Sequence, residues 1–403
     1  MTVRFRPSCL FAGDASVADI AEIQAGEADD GCFVIPIMPW GRAITGEAGG
    51  PGEVVEASVS NLTARSLGLG ADLFADIGPR GWRLHSRSTG RLMSAQRQAR
   101  DVIARDLDAC EQVWSNQAPG FGIRELTVEI CGPMTLARNV ELSNGESLLT
   151  DAGALRDLCQ ALQVGLQDHL AELRRRFNPE GFRVVVSEPA AADVATGAVR
   201  NAATDGYYPA VGAEELAGYW RELTSLGAEA DHAASAVDVL FGFGIGRWTD
   251  IPLTALQTAG FIGLVLPMLS LQTNKQLDHA ASLIDSGLQL ELGALPDNAR
   301  GAKRDEFTGQ YVALDERVYA TKVARLWDLI GFSREELLDK VRLTSAETMD
   351  TLSPQALRNH KQPKQLESSL ATQPTTQSAQ WLPTMMRGGA RTADLLNRAV
   401  GDL

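Results

Sequence analysis

Cysteine is scarce in this 403-residue chain, and it is scattered: Cys9, Cys32, Cys110, Cys131 and Cys159, an odd number without a C-x-x-C pair. That pattern predicts free thiols in a reducing compartment rather than a disulfide framework. Positive charge is short as well. With 37 Lys and Arg against 51 Asp and Glu the net charge is −14, which speaks against nucleic acid and against an anionic membrane as partners, since either needs a basic stripe. No uninterrupted apolar run approaches the roughly 18 residues that cross a bilayer. The first apolar residues, despite Arg4 and Arg6, are too few and too broken for a signal peptide. These absences together predict a cytoplasmic protein. The glycines of 41–52 match neither G-x-x-x-x-G-K-S/T nor G-x-G-x-x-G, so the stretch reads as a flexible loop, with phosphate cradling as the alternative.

What is present points to a parallel α/β protein. The length admits one large barrel or two average domains. The clearest signal is Leu126-Thr-Val-Glu-Ile-Cys131, an alternating run of β-formers that feeds directly into Gly132-Pro133 and a helical pattern. That is a strand ending at a βα junction. Phe182-Arg-Val-Val-Val-Ser-Glu-Pro189 repeats the design. Further strands are predicted at 9–13, 33–38, 236–242, 262–267, 288–294 and 341–346. Helices are predicted near 17–23, 54–67, 93–115, 213–226, 252–259, 274–286 and 311–331. Asp151 is expected to cap a long helix carrying Leu155, Leu158, Leu162, Leu166, Leu170 and Leu173 on one face. Residues 73–77 and 82–85 read as a β-hairpin across Gly78-Pro79-Arg80-Gly81, and 297–310 as a lid or a surface loop. Eight strands alternating with helices predict a single (β/α)₈ TIM-type barrel over 1–355. Beyond it, 356–403 reads as a Gln/Ser/Thr/Pro-rich linker with a short C-terminal helix at 392–400.

Strand ends at the C-terminal face of such a barrel carry its chemistry. Cys131, Glu188 and Glu347 fall there, and two carboxylates in one pocket can split their pKa values and act as an acid/base pair. The alternative is structural: Glu188 bonds a neighbouring loop and Cys131 fills space. Trp40, Arg42, Trp82 and Arg83 offer stacking and anion recognition for a flat acidic ligand, or simply pack. Ser187 lies beside Glu188, and Tyr207 follows as a pocket cap or a packing residue. His85 and His169 read as structural.

Glu129-Ile-Cys-Gly-Pro-Met-Thr-Leu-Ala137 resembles the Gly-Pro-x-Thr-Ile/Leu junction of cobalamin-independent methionine synthases. Val186-Ser187-Glu188-Pro189 is similar to that family's Asp-Glu-Pro junction, and Gly81-Trp-Arg-Leu84 to a segment of its single-barrel members. The similarity spans roughly residues 30–350, and the wider superfamily includes uroporphyrinogen decarboxylase. The resemblance implies methyl transfer from methyl-folate to homocysteine, whose sulfur a zinc ion activates as thiolate. It further implies a His-x-Cys pair, a carboxylate and a second Cys as zinc ligands. Those positions fall on Phe241, Phe243, Pro267 and Glu347, and residues 232–360 contain no cysteine. Ser187 replaces the Asp of Asp-Glu-Pro, and Cys9–Gly13 stands where the family has Ile-Gly-Ser. The chain is therefore expected to be a diverged, zinc-free, non-catalytic barrel, with no cofactor assigned. It would bind a folate-like or thiol-amino-acid-like small molecule, or a protein partner. The alternative is an enzyme working through strand-end carboxylates.

Overall fold

The computed structural model describes residues 2–11, 15–28, 31–37, 61–85, 94–117, 121–201, 204–228, 236–243, 247–296, 304–305, 311–345 and 377–403. In chain order these form α1 (Val17–Glu27), β1 (Cys32–Val34), α2 (Leu62–Leu69), β2 (Ala75–Gly78), β3 (Gly81–Leu84), α3 (Ser94–Trp114), β4 (Glu125–Cys131) and α4 (Pro133–Asn139). Next come α5 (Ala152–Phe177), β5 (Gly181–Ser187), α6 (Ala191–Ala195), α7 (Ala213–Ala228), β6 (Ala236–Gly242), α8 (Leu253–Thr258) and β7 (Gly263–Pro267). The chain ends with α9 (Asn274–Asp285), β8 (Gln289–Leu295), α10 (Glu316–Ile330), α11 (Arg334–Lys340), β9 (Val341–Ser345) and α12 (Gln377–Ala399).

Seven strands form one parallel sheet in the order β1-β4-β5-β6-β7-β8-β9. Its two edges are tied to the same N-terminal segment. Phe5 bridges Leu343 of β9 and Leu10 bridges Ile37 beyond β1, both in parallel sense. The backbone bonds agree: Arg6 N–H donates to Leu343 O at 3.1 Å, Leu343 N–H to Arg4 O at 2.8 Å, and Phe11 N–H to Ile37 O at 3.0 Å. Where a strand was predicted at 9–13, the pairing stretch therefore begins earlier, and Pro36 keeps β1 short because it has no N–H to donate. Side chains of non-neighbouring strands also meet. Arg183 of β5 faces Glu291 of β8, and Arg342 of β9 bonds Glu125 of β4. A flat sheet would hold these strands well apart, since neighbours are spaced about 4.8 Å. The sheet is curled.

Its two faces differ sharply. Leu126, Val128 and Ile130, Phe182, Val184 and Val186, and Val239 and Phe241 turn outward to the helices and are buried. Glu125, Thr127 and Glu129, Arg183 and Ser187, Asp238, Glu291, and Arg342 and Thr344 occupy the alternate positions, which point inward. The long helix begins where the sequence places it, with Asp151 Oδ1 accepting from Gly153 and Ala154 N–H. The expected hairpin is β2–β3, its pairs running from Ala75–Leu84 to Gly78–Gly81.

The C-terminal helix is not short. It has 23 residues and buries Trp381, Leu382, Met385, Met386 and Leu396. It lies against α1, α10 and β9. Among the described residues no helix is long and apolar enough to cross a membrane.

Candidate functional site

At the Gly132–Pro133 junction β4 turns directly into α4. The first N–H groups of that helix lack intrahelical acceptors, and Glu188 supplies them. Its Oε1 accepts from Met134 N–H at 2.9 Å and from Trp220 Nε1–H at 2.9 Å. Its Oε2 accepts from Thr135 N–H at 2.8 Å and from the Thr135 hydroxyl at 2.7 Å. A carboxylate offers four acceptor positions, and all four are filled. Gly132 is required here because a Cβ would overlap the Glu188 carboxyl group. Burial pushes the Glu188 pKa up, against the pull of four donors. Three of those are N–H groups that can only donate, so the geometry holds the carboxylate. Glu188 thus ties the start of α4, the end of β5 and α7 together.

Cys131 sits beside this knot. Its N–H donates to Ser66 Oγ at 2.8 Å, and the Thr63 hydroxyl points at its sulfur. Burial, reinforced by the Glu188 charge, raises the thiol well above its ordinary pKa. It stays protonated at neutral pH, which suppresses nucleophilicity.

Ser187 faces inward and its hydroxyl donates to Glu129 of β4. Glu129 is half-buried at the C-terminal part of the interior. Burial raises its pKa; Ser187 and Arg6 oppose the shift, and Glu291 adds to it. A partly buried carboxylate that carries a proton more readily than usual can bind a donor group or exchange that proton. Sequence reading passed over Glu129, although the alternation Glu125-x-Thr127-x-Glu129 marked a polar strand face. It also passed over Arg6, Arg183 and Glu291 below it.

The remaining candidates scatter. Arg83 Nη2 donates to Glu141 Oε2 at 2.7 Å while Arg80 pairs with Oε1 at 2.6 Å, so both arginines clamp the hairpin onto the segment after α4. Trp82 is buried beneath it, and Tyr207 stands 65% exposed in the segment between α6 and α7. Glu347, Trp40 and Arg42 lie outside the described residues, as does most of 297–310. Phe241 stacks edge-on against Trp220 and Phe261 at 4.9 and 5.1 Å, and Phe243 meets Trp248 at 5.3 Å. These rings belong to the layer between sheet and helices. Two phenyl groups and the Pro267 ring carry no donor atom, so this part of the expected ligand set does not fit zinc. Among the described residues no group of three or more His, Cys, Asp and Glu side chains converges as a metal site.

Fold and site together define a mixed α/β protein built on a curled, seven-stranded parallel sheet with a charged interior. No family model matches the chain, and no curated protein does. Among solved structures it is similar to a B12-independent methionine synthase from Shewanella sp. W3-18-1 in complex with selenomethionine. The identity is 11% and the TM-score 0.41, over 75% of this chain and 68% of that one.

Proposed function

We propose that this chain is a closed (β/α)₈ barrel that binds a small molecule at its C-terminal mouth without zinc chemistry. Residues 4–11 serve as the eighth stave, supported by their bridges to both β9 and β1. The single observation that carries the binding reading is the Glu129–Ser187 pair. It is inward-facing and half-buried, whereas Glu188 is saturated with protein donors. A thiol amino acid, the ligand class suggested by the sequence resemblance, would present an ammonium group to Glu129. Folate-like ligands are the other class. Zinc has no part in the proposal, because Phe241, Phe243 and Pro267 bring no donor atom.

The test is calorimetric titration with homocysteine, methionine and methyl-folate, using wild type and Glu129→Gln. A charge-assisted hydrogen bond lost from a ligand costs about 1.5–3 kcal/mol, roughly ten- to a hundredfold in affinity. Equal affinities for the two proteins would remove Glu129 from the site. The raised pKa of Glu129 favours a second reading, a zinc-free enzyme in which this carboxylate moves a proton. Chemical conversion of a bound ligand by wild type, lost in Glu129→Gln, would select it.

A further inference from the structure

Below Glu129 the interior holds polar atoms that the protein itself does not satisfy. Arg183 Nε and Nη2, Glu291 Oε2, Thr127 Oγ1 and Thr344 Oγ1 are all buried without a hydrogen-bond partner. They come from β4, β5, β8 and β9, on the inward-facing positions described above. Charge is paired across this space, with Arg6 against Glu291 and Arg342 against Glu125, but the hydrogen bonding around Arg183 is incomplete. Arg183 Nη2 stands 3.5 Å from Glu291 Oε2, and its Nη1 stands 3.4 Å from Asp238 and 3.9 Å from Glu125. An ordinary N–H···O contact is 2.7–3.2 Å. Arg6 occupies the other oxygen of Glu291 directly. Left dry, the five remaining atoms would offset a large share of a domain's folding free energy.

We propose that the barrel interior is a hydrated polar column, a binding site for ordered water held between Thr127, Arg183, Glu291 and Thr344. Two arguments identify the guest. The first is charge. Arg6, Arg183 and Arg342 stand against Glu125, Glu129, Asp238 and Glu291, so an added anion would deepen the negative balance and a cation would have to sit beside three guanidinium groups. The second is hydrogen-bond type. The unsatisfied atoms include donors on Arg183, an acceptor on Glu291 and hydroxyls that do both. An anion accepts and a cation cannot accept, whereas water does both and bridges groups too far apart to bond directly. The column runs from Glu129 at the mouth to Asp238 and Arg342, which are partly exposed at the opposite end.

A crystal structure at a resolution that orders water is the first test. Water within hydrogen-bond distance of both Arg183 Nη2 and Thr127 Oγ1 is expected. Arg183 bonded directly to Glu291 with nothing between them would overturn the proposal. So would density heavier than water whose occupancy follows the chloride concentration. The solution test is oxygen-17 water relaxation dispersion on wild type, Thr127→Val/Thr344→Val and Thr127→Ser/Thr344→Ser. The hydroxyl-free variant should lose part of the long-lived water signal, and the serine variant should retain it. An unchanged amplitude in the valine variant would also overturn the proposal. Should that double variant fail to fold, Thr127→Val against Thr127→Ser gives the same comparison.

Discussion

Glu188 and Glu129 face opposite sides of neighbouring strands, and their partners set what each can do. Glu188 has four donors around one buried carboxylate. Replacing it by Gln keeps the volume but sets an amide N–H₂ against groups that also donate. Removing one partner from a buried charged network is costly, so Glu188→Gln is expected to lower stability by about 2–4 kcal/mol, read as the urea midpoint. An unchanged midpoint would show that the four bonds are worth little. His169 makes a separate case on α5. Burial, with help from Arg65 and Arg176, lowers its pKa from 6.5 to about 4. Arg65 on α2 is itself paired with Asp106 on α3. Below pH 6.5 the unfolded chain takes up a proton that the folded His169 refuses. Its contribution is therefore intact above pH 6.5 and lost as the pH falls towards about 4, up to ~3 kcal/mol. His169→Gln should lose less stability than wild type between pH 7.5 and 4.5. Parallel losses in urea titrations of the two proteins would place His169 in contact with water.

At the scale of elements, glycine separates close approach from mere helix composition. Gly165 lies under the end of α2, and a Cβ there would overlap the Leu69 carbonyl. Gly165→Ala is expected to cost about 1–3 kcal/mol through overpacking. Gly218 on α7 has nothing within 4 Å of its added Cβ. Gly218→Ala should raise stability by about 0.5–1 kcal/mol, because Ala has less backbone entropy to lose. Thermal melts that move in the same direction would contradict this pairing. The strands themselves were legible: 183–188, 236–242, 262–267, 288–294 and 341–346 lie within two residues of β5 to β9, because β-formers there run between turn residues. The direction of the polar face was not legible. Glu125, Thr127 and Glu129 alternate as they would on a sheet open to water, and only curling turns such a face inward. Helix α11 was missed even though Ser333 and Glu336 form a capping box at its start. Seven residues give too short a period to stand out.

For the whole molecule, α12 decides whether the chain holds together. The Gln/Ser/Thr/Pro composition before it suggested a linker ending in only a short helix, although Trp381, Met385, Thr392 and Leu396 recur on one helical face. That face is buried. Gly389 packs so closely on the Phe5 ring that a Cβ would collide with it, and Gly388 approaches Leu314 in the same way. Asn397 clasps the backbone of Val3, accepting its N–H at 2.8 Å and donating to its carbonyl at 2.9 Å. Trp381 Nε1–H donates to Pro296 O at 3.1 Å, and Arg334 donates to Val400 O at 3.0 Å. The helix thereby fixes the segment that bridges β9 to the residues after β1. Burying a large apolar side chain contributes about 1.5–3 kcal/mol. Trp381, Leu382, Met385, Met386 and Leu396 together would contribute roughly 7–15 kcal/mol as an upper estimate, which matches the total stability of a typical domain. Deleting 377–403 is therefore expected to abolish the cooperative melt followed by circular dichroism, and adding the 377–403 peptide in trans should restore part of it. A truncated protein melting within a few degrees of the full chain would show that residues 2–11 bridge the two sheet edges without help from α12.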